Sequence, residues 1–419
     1  MKDVTPSVVA AVMALVVPVV AGAQGTAPLA ADDAVAWCAA IADHIPGEPD
    51  TALFVAASWP SLRIERMLGA LTDGMKRVAR TAARDDDATA RLREALAPFG
   101  LAREALSSGD LTRIVRRGAV LHTDIALLTD GNRDLGEGAP SAGSAASVTI
   151  FDGQPAGYRR GGGHLDVARL LLDRIRPSAS IDPGVGAWYR AVAAHLMAHA
   201  EFGELRKHLA HGKRVVPRDG VLLMFDAAMH HALASPRVQA AMTTIVMPPT
   251  FSLDVKSSRA ELDEARRGYE DALRLDPGLV EARLRLGRVR AEQGHPAEAA
   301  DLLRSAARDA GDPIGQYFAA LFLGEQEAVL GRADEARLAF ERASALFPNA
   351  QSPLLGLSHL ARARGDRAAA LEAIARVMRL PSRRDARDEP WWDFNTSAGR
   401  HADAWLADAR RRLAGDAAQ

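Results

Sequence analysis

The sequence predicts an all-α chain: a superhelical solenoid of antiparallel helix pairs, with a helical subdomain before it and a capping helix after it. Three observations carry that prediction. The landmarks Leu286-Gly287, Gly294, Ala299, Leu303 and Ala306 return 37 residues later as Leu323-Gly324, Gly331, Ala336, Phe340 and Ala343. Around them the apolar residues fall at helical spacing, with Gly or Pro at each break. Aromatic residues make up only 5% of the chain while Ala, Leu and Arg dominate, which suits helices in close small-residue contact.

Residues 1–23 read as a secretory signal that is removed. Lys2 supplies the positive end, Val8–Val20 the apolar run and Ala21-Gly22-Ala23 a small-x-small cleavage site. The run is short of the roughly 20 residues that a bilayer span needs. No stable membrane insertion is therefore expected after cleavage, and an uncleaved amino-terminal anchor is the alternative. The single cysteine, Cys38, has no internal disulfide partner and fits a small buried apolar position.

Residues 24–128 are expected to form a separate helical subdomain, because helices at Ala31–His44, Leu53–Ala83 and Ala88–Leu128 carry none of the repeating landmarks. Residues 129–163 are rich in Gly, Ser and Ala and read as a loop or linker, with one short extended piece at Ser147–Phe151. Residues 164–381 are the repeats. Ala187–Pro217 is a degenerate copy. Val221–Leu233 and Glu261–Leu275 are the helices of the next, split by an insertion at about 236–259 whose Ile245–Pro249 run does not suit a helix. Leu279–Gln293 then pairs with Ala297–Ala307, and another copy closes at Pro348 as the earlier one closes at Pro277. One such hairpin cannot bury its own apolar face, so stacking is obligatory. Residues 382–419 are the cap. Trp391, Trp392, Phe394 and Trp405 are expected to pack on the last repeat, since a solenoid end must hide its apolar face.

A period of about 34 residues with Leu-Gly early, an Ala followed four residues later by an apolar residue, and a closing Pro resembles the tetratricopeptide repeat. The resemblance runs from Ala187 to Pro381 and is strongest from Ala260 onward. With its amino terminus, the chain looks like the periplasmic or secreted members found in Gram-negative-type bacteria. The resemblance implies a superhelix that binds peptides, protein helices or other domains along a concave groove lined by each repeat's first helix. By position that groove includes Arg285 and Arg288, then Leu321, Phe322 and Glu325, then Leu355, His359 and Arg362. Repeats that capture a terminal carboxylate use paired Lys and Asn there. This chain has no Asn at those positions, so that ligand class is not implied.

Charge and motifs narrow the function. With 52 basic against 53 acidic residues, no overall field draws nucleic acid or an anionic membrane. His195 and His199 stand four apart, a usable metal-ligand spacing. The helix around them lacks the Glu that a zinc protease carries beside its first His. Gly161-Gly162-Gly163-His164 lacks the Gly-Lys-Ser/Thr of a phosphate loop, and no nucleophile elbow or kinase signature occurs. The expected function is a non-catalytic exported scaffold that binds a protein or peptide partner in the groove and uses no cofactor. The alternative is a metal-binding protein or metal-dependent hydrolase at His195 and His199.

Overall fold

The computed structural model describes residues 183–244, 255–381 and 388–414, together with 148–151, 154–156 and single helical positions at 116–127 and 165–172. The signal, most of the amino-terminal subdomain and linker, and the Ile245–Pro249 run lie outside the described residues. The chain divides into two compact units.

One unit takes residues 1–146, 157–187 and 407–419. Within it Ala119, Thr123 and Leu127 are helical and buried, as are Leu165, Ala168 and Leu172. Spacings of three and four put each set on one inward helix face. Thr123 Oγ1 donates to the Ala119 carbonyl at 2.7 Å, so its buried hydroxyl is satisfied within its own helix.

The other unit takes residues 147–156 and 188–406 and holds the repeats. A short antiparallel hairpin, β1 (Val148–Phe151) with β2 (Gln154–Ala156), belongs to it. The described helices of the chain run in order: α1 (Pro183–Ala198), α2 (Phe202–Val215), α3 (Gly220–Leu233), α4 (Pro236–Thr244), α5 (Ser258–Leu275), α6 (Val280–Glu292), α7 (Pro296–Asp309), α8 (Pro313–Val329), α9 (Ala333–Leu346), α10 (Ser352–Ala363), α11 (Arg367–Arg379) and α12 (Ala402–Ala414), of which α2 to α11 lie wholly within this unit. They pack pairwise, α3 with α5, α6 with α7, α8 with α9 and α10 with α11, and each pair stacks on the next. This is a tetratricopeptide-like, all-α solenoid.

The repeating residues build the repeating geometry. Gly294, Gly331 and Gly365 end the first helix of successive pairs at φ of 82°, 74° and 76°, where a Cβ would be strained. Two other glycines are required by contact. A Cβ on Gly287 would sit 2.8 Å from Leu303 Cγ, and one on Gly324 would sit 2.8 Å from the Phe340 ring. Ala265, Ala299, Ala306, Ala336 and Ala343 are fully buried at the same crossings. An indole in place of such a methyl overpacks the crossing, so Ala299→Trp is expected to cost about 1–3 kcal/mol by denaturant unfolding.

The insertion carries α4 between α3 and α5. Gln239 Nε2 donates to the carbonyls of Leu233 and Lys256, each at 2.9 Å, which ties its two ends together.

The expected seat of Trp391 and Phe394 on the last repeat is corrected. Trp391 and Phe394 turn back onto α3, α6 and α8, and Trp405 meets Phe225 of α3 at 5.8 Å. Leu371, Ile374 and Met378 of α11 are exposed. The reason is chemical. The face of α6 and α8 offers an aromatic floor and two arginines, whereas α11 offers a short aliphatic stripe flanked by Arg376 and Arg379.

Candidate functional site in the groove

The first helices α3, α6, α8 and α10 stand side by side, and their shared face is the groove. Across it Arg288 Nη1 pairs with Glu325 at 2.6 Å, while Arg288 Nε pairs with Glu292 at 2.8 Å. A segment of the same chain, Glu389–Arg400, lies along this face. We call it the strap. Two 3-10 turns shape it, Pro390–Asp393 and Ser397–Gly399. Three residues per turn align positions i and i+3, so Trp391, Phe394, Ser397 and Arg400 share one edge, the edge that meets the helices.

The strap is held at three places. At its acidic end Glu389 is buried, and one carboxylate oxygen accepts from the backbone N–H groups of Gln351 and Ser352 at 2.7 and 2.9 Å. Those groups start α10, where the helix dipole favours an anion. The other oxygen accepts from the Tyr317 hydroxyl. Burial, and then the facing Glu389 carboxylate, push the Tyr317 hydroxyl far above its ordinary range, so it remains a donor.

In the middle lies the aromatic anchor. Phe394 is 4% exposed and meets Phe318 and Phe322 edge-on at 5.0 Å each and His231 at 5.7 Å. Trp391 stacks on Phe394 and meets Phe322 edge-on at 5.5 Å. The Arg285 guanidinium lies 4.6 Å above the Phe394 ring, and that of Arg288 lies 4.7 Å above Phe322 and 5.2 Å above Trp391. Cations over ring faces add attraction beyond the area buried.

Arg285 joins the anchor to the basic end. It is 1% exposed and donates to Glu281 at 2.6 Å, to the Phe394 carbonyl at 3.0 Å and to Ser397 Oγ at 2.8 Å. Arg400 then forks onto both oxygens of Asp312, at 3.0 and 2.8 Å, and donates to Glu281 at 2.8 Å. Burial pushes the Glu281 carboxyl up, and Arg285 and Arg400 outweigh it, holding the group below its ordinary value. Gly399 is required beside these contacts, since a Cβ there would meet the Ala194 carbonyl and come within 2.6 Å of the Ala198 nitrogen.

Of the residues assigned to the groove by position, Arg285, Arg288 and Phe322 gather beneath the strap, with Glu325 paired to Arg288. Arg285 and Phe322 are fully enclosed there. Leu321 is buried in the core of the stack and does not belong to an open face. On α10, Leu355 is half-buried and His359 and Arg362 are exposed. The sequence reading missed Glu281, Asp312, Tyr317, Phe318, Glu389 and Arg400. A signal existed, the three-residue interval of Trp391, Phe394, Ser397 and Arg400.

The histidines go to separate partners. His195 and His199 stack at 4.2 Å, and His199 Nδ1 bonds the His195 carbonyl at 2.9 Å. His208 bonds the Tyr189 carbonyl, His230 pairs with Glu261 at 2.6 Å, and His231 with Glu292 at 3.4 Å. Among the described residues no three His, Cys, Asp or Glu side chains stand together as a metal site.

Glu292 gives the groove a pH dependence. Burial pushes its carboxyl up, and His231 and Arg288 outweigh that, holding it down at about 2 against an ordinary 4.5. A depressed carboxylate contributes stability above its unfolded value and loses it as pH falls through the folded one. Glu292→Gln is thus expected to flatten the loss of stability between pH 4.5 and about 2, read from denaturation midpoints at each pH.

No protein-family model matches the chain, and no curated protein matches it in sequence. Among solved structures it is similar to MamA, residues 41 to the end, from Desulfovibrio magneticus RS-1, at 17% identity over 48% of this chain and 97% of that one, with a TM-score of 0.36. It is similar to Pseudomonas aeruginosa PilF at 14% identity over 54% of this chain and 88% of that one, TM-score 0.38. A third is YrrB, described as a TPR protein with an unusual peptide-binding site, at 15% identity over 48% and 88%, TM-score 0.34.

Proposed function

We propose that this chain is a non-catalytic interaction scaffold that binds a peptide or protein segment in the groove of its solenoid. One observation carries the reading: the groove already holds a peptide segment, the chain's own strap, by a buried aromatic anchor with charged contacts on either side. A central aromatic in a desolvated pocket with a polar surround is the usual anatomy of a peptide site. Leu355, His359 and Arg362 extend the reading along α10, where two of the three are exposed.

Export is part of the proposal. Cleavage after Ala23 would release the mature chain to the periplasm or medium, and sequencing the amino terminus of native protein tests it. An intact Met1 in the membrane fraction would establish an anchor instead. The binding reading is tested with immobilised full-length protein and a His359→Ala/Arg362→Glu variant, each exposed to proteins of the cell envelope. A partner retained by the parent chain and lost from the variant is expected. Identical retention by both would remove α10 from the binding face.

A further inference from the structure

We propose that the strap is a built-in copy of the ligand, so that the groove takes in trans a segment of the same chemistry: an acidic residue, aromatics two and five residues later, and an arginine eleven residues later, in a 3-10 coil. This rests on the groove being a peptide site and adds the partner's chemistry and direction. The floor dictates both. Glu389 sits where Tyr317 and the first N–H groups of α10 converge, a place for an anion and not a cation. Arg400 sits between Asp312 and Glu281, a place for a forked cation. Between the two, Phe318 and Phe322 under Arg285 and Arg288 take flat rings. A segment in the opposite direction would set like charges together at both ends.

The floor has contacts of its own besides those it makes to Phe394 and Trp391. The stack behind it is closed by Ala299, Leu303, Ala336 and Phe340, and α6 is tied to α8 by the Arg288–Glu325 pair. The strap enters at Asp388, a non-glycine residue in the left-handed region at φ 49°. A tethered occupant competes at an effective concentration on the order of millimolar. A partner must therefore match the strap's anchors or meet a chain whose strap is weakened.

The test uses the full-length chain and a fluorescent synthetic peptide of residues 388–401, with a control peptide carrying Ala at positions 391 and 394. Binding is read by anisotropy on the parent chain and on Trp391→Ala/Phe394→Ala, whose cooperative melting is checked first. If that variant does not melt cooperatively, Glu389→Gln/Arg400→Gln replaces it. The peptide is expected to bind the weakened chain at least tenfold more tightly than the parent, and the control peptide is expected not to bind. If the weakened chain takes both peptides alike, the acidic–aromatic–basic specificity is wrong while the groove remains a peptide site. If it takes neither, the peptide-site reading falls as well.

Discussion

Phe394→Ala is expected to destabilise the repeat unit by about 3–5 kcal/mol, the usual cost of deleting a buried phenyl ring. Phe394 is 4% exposed and is shared by α3, α6 and α8 through His231, Arg285, Phe318 and Phe322. No neighbour is placed to fill the space, since Trp391 is held over Phe322 by its own contacts. The loss is read from the denaturant midpoint, with faster proteolysis between residues 380 and 400 as a second signature. A change below about 1 kcal/mol would mean that Phe394 does not occupy the groove in solution, because a surface ring costs little to remove.

Arg285→Met is expected to cost a similar amount, about 3–5 kcal/mol, because removing one member of a buried ion pair strands its partners. Methionine fills much of the same volume, so the loss reports lost hydrogen bonds and charge. Glu281 would keep only Arg400, and the Phe394 carbonyl and Ser397 hydroxyl would each lose the Arg285 donor. Arg285→Lys is the informative control. It keeps the charge and loses the planar fork that reaches Glu281 on one side and the strap on the other. An intermediate loss of about 1–3 kcal/mol is expected, matching an unsatisfied buried polar group.

Much of the solenoid is legible in the chain because its geometry is local. Gly294, Gly331 and Gly365 mark the left-handed turn after each first helix, and Gly287 and Gly324 mark the crossings where Leu303 and Phe340 press in. Each signal acts within one hairpin, so its spacing survives in sequence. The strap is not local. Arg285 meets Phe394 across 109 positions and Arg400 meets Asp312 across 88. No period links them. The reading that a solenoid end needs a cap assigned the aromatics to the last repeat, and the contest was decided by side-chain chemistry: rings and carboxylates found arginines, a tyrosine and the start of α10 in the groove. Helix-face spacing put Arg285 and Arg288 on one face of their helix, and repeat position put Phe322 on the next first helix. Neither could show that they face an occupant from their own chain.

The seated strap is tested most directly by combining the two large variants. Arg285 and Phe394 are in contact, with the guanidinium 4.6 Å over the ring and bonded to its carbonyl. Each single variant removes the same joint, so the double variant Arg285→Met/Phe394→Ala is expected to cost less than the sum of the singles by about 1–3 kcal/mol, the coupling found between touching residues. Additivity within about 0.5 kcal/mol would place the two residues apart, and the strap out of the groove.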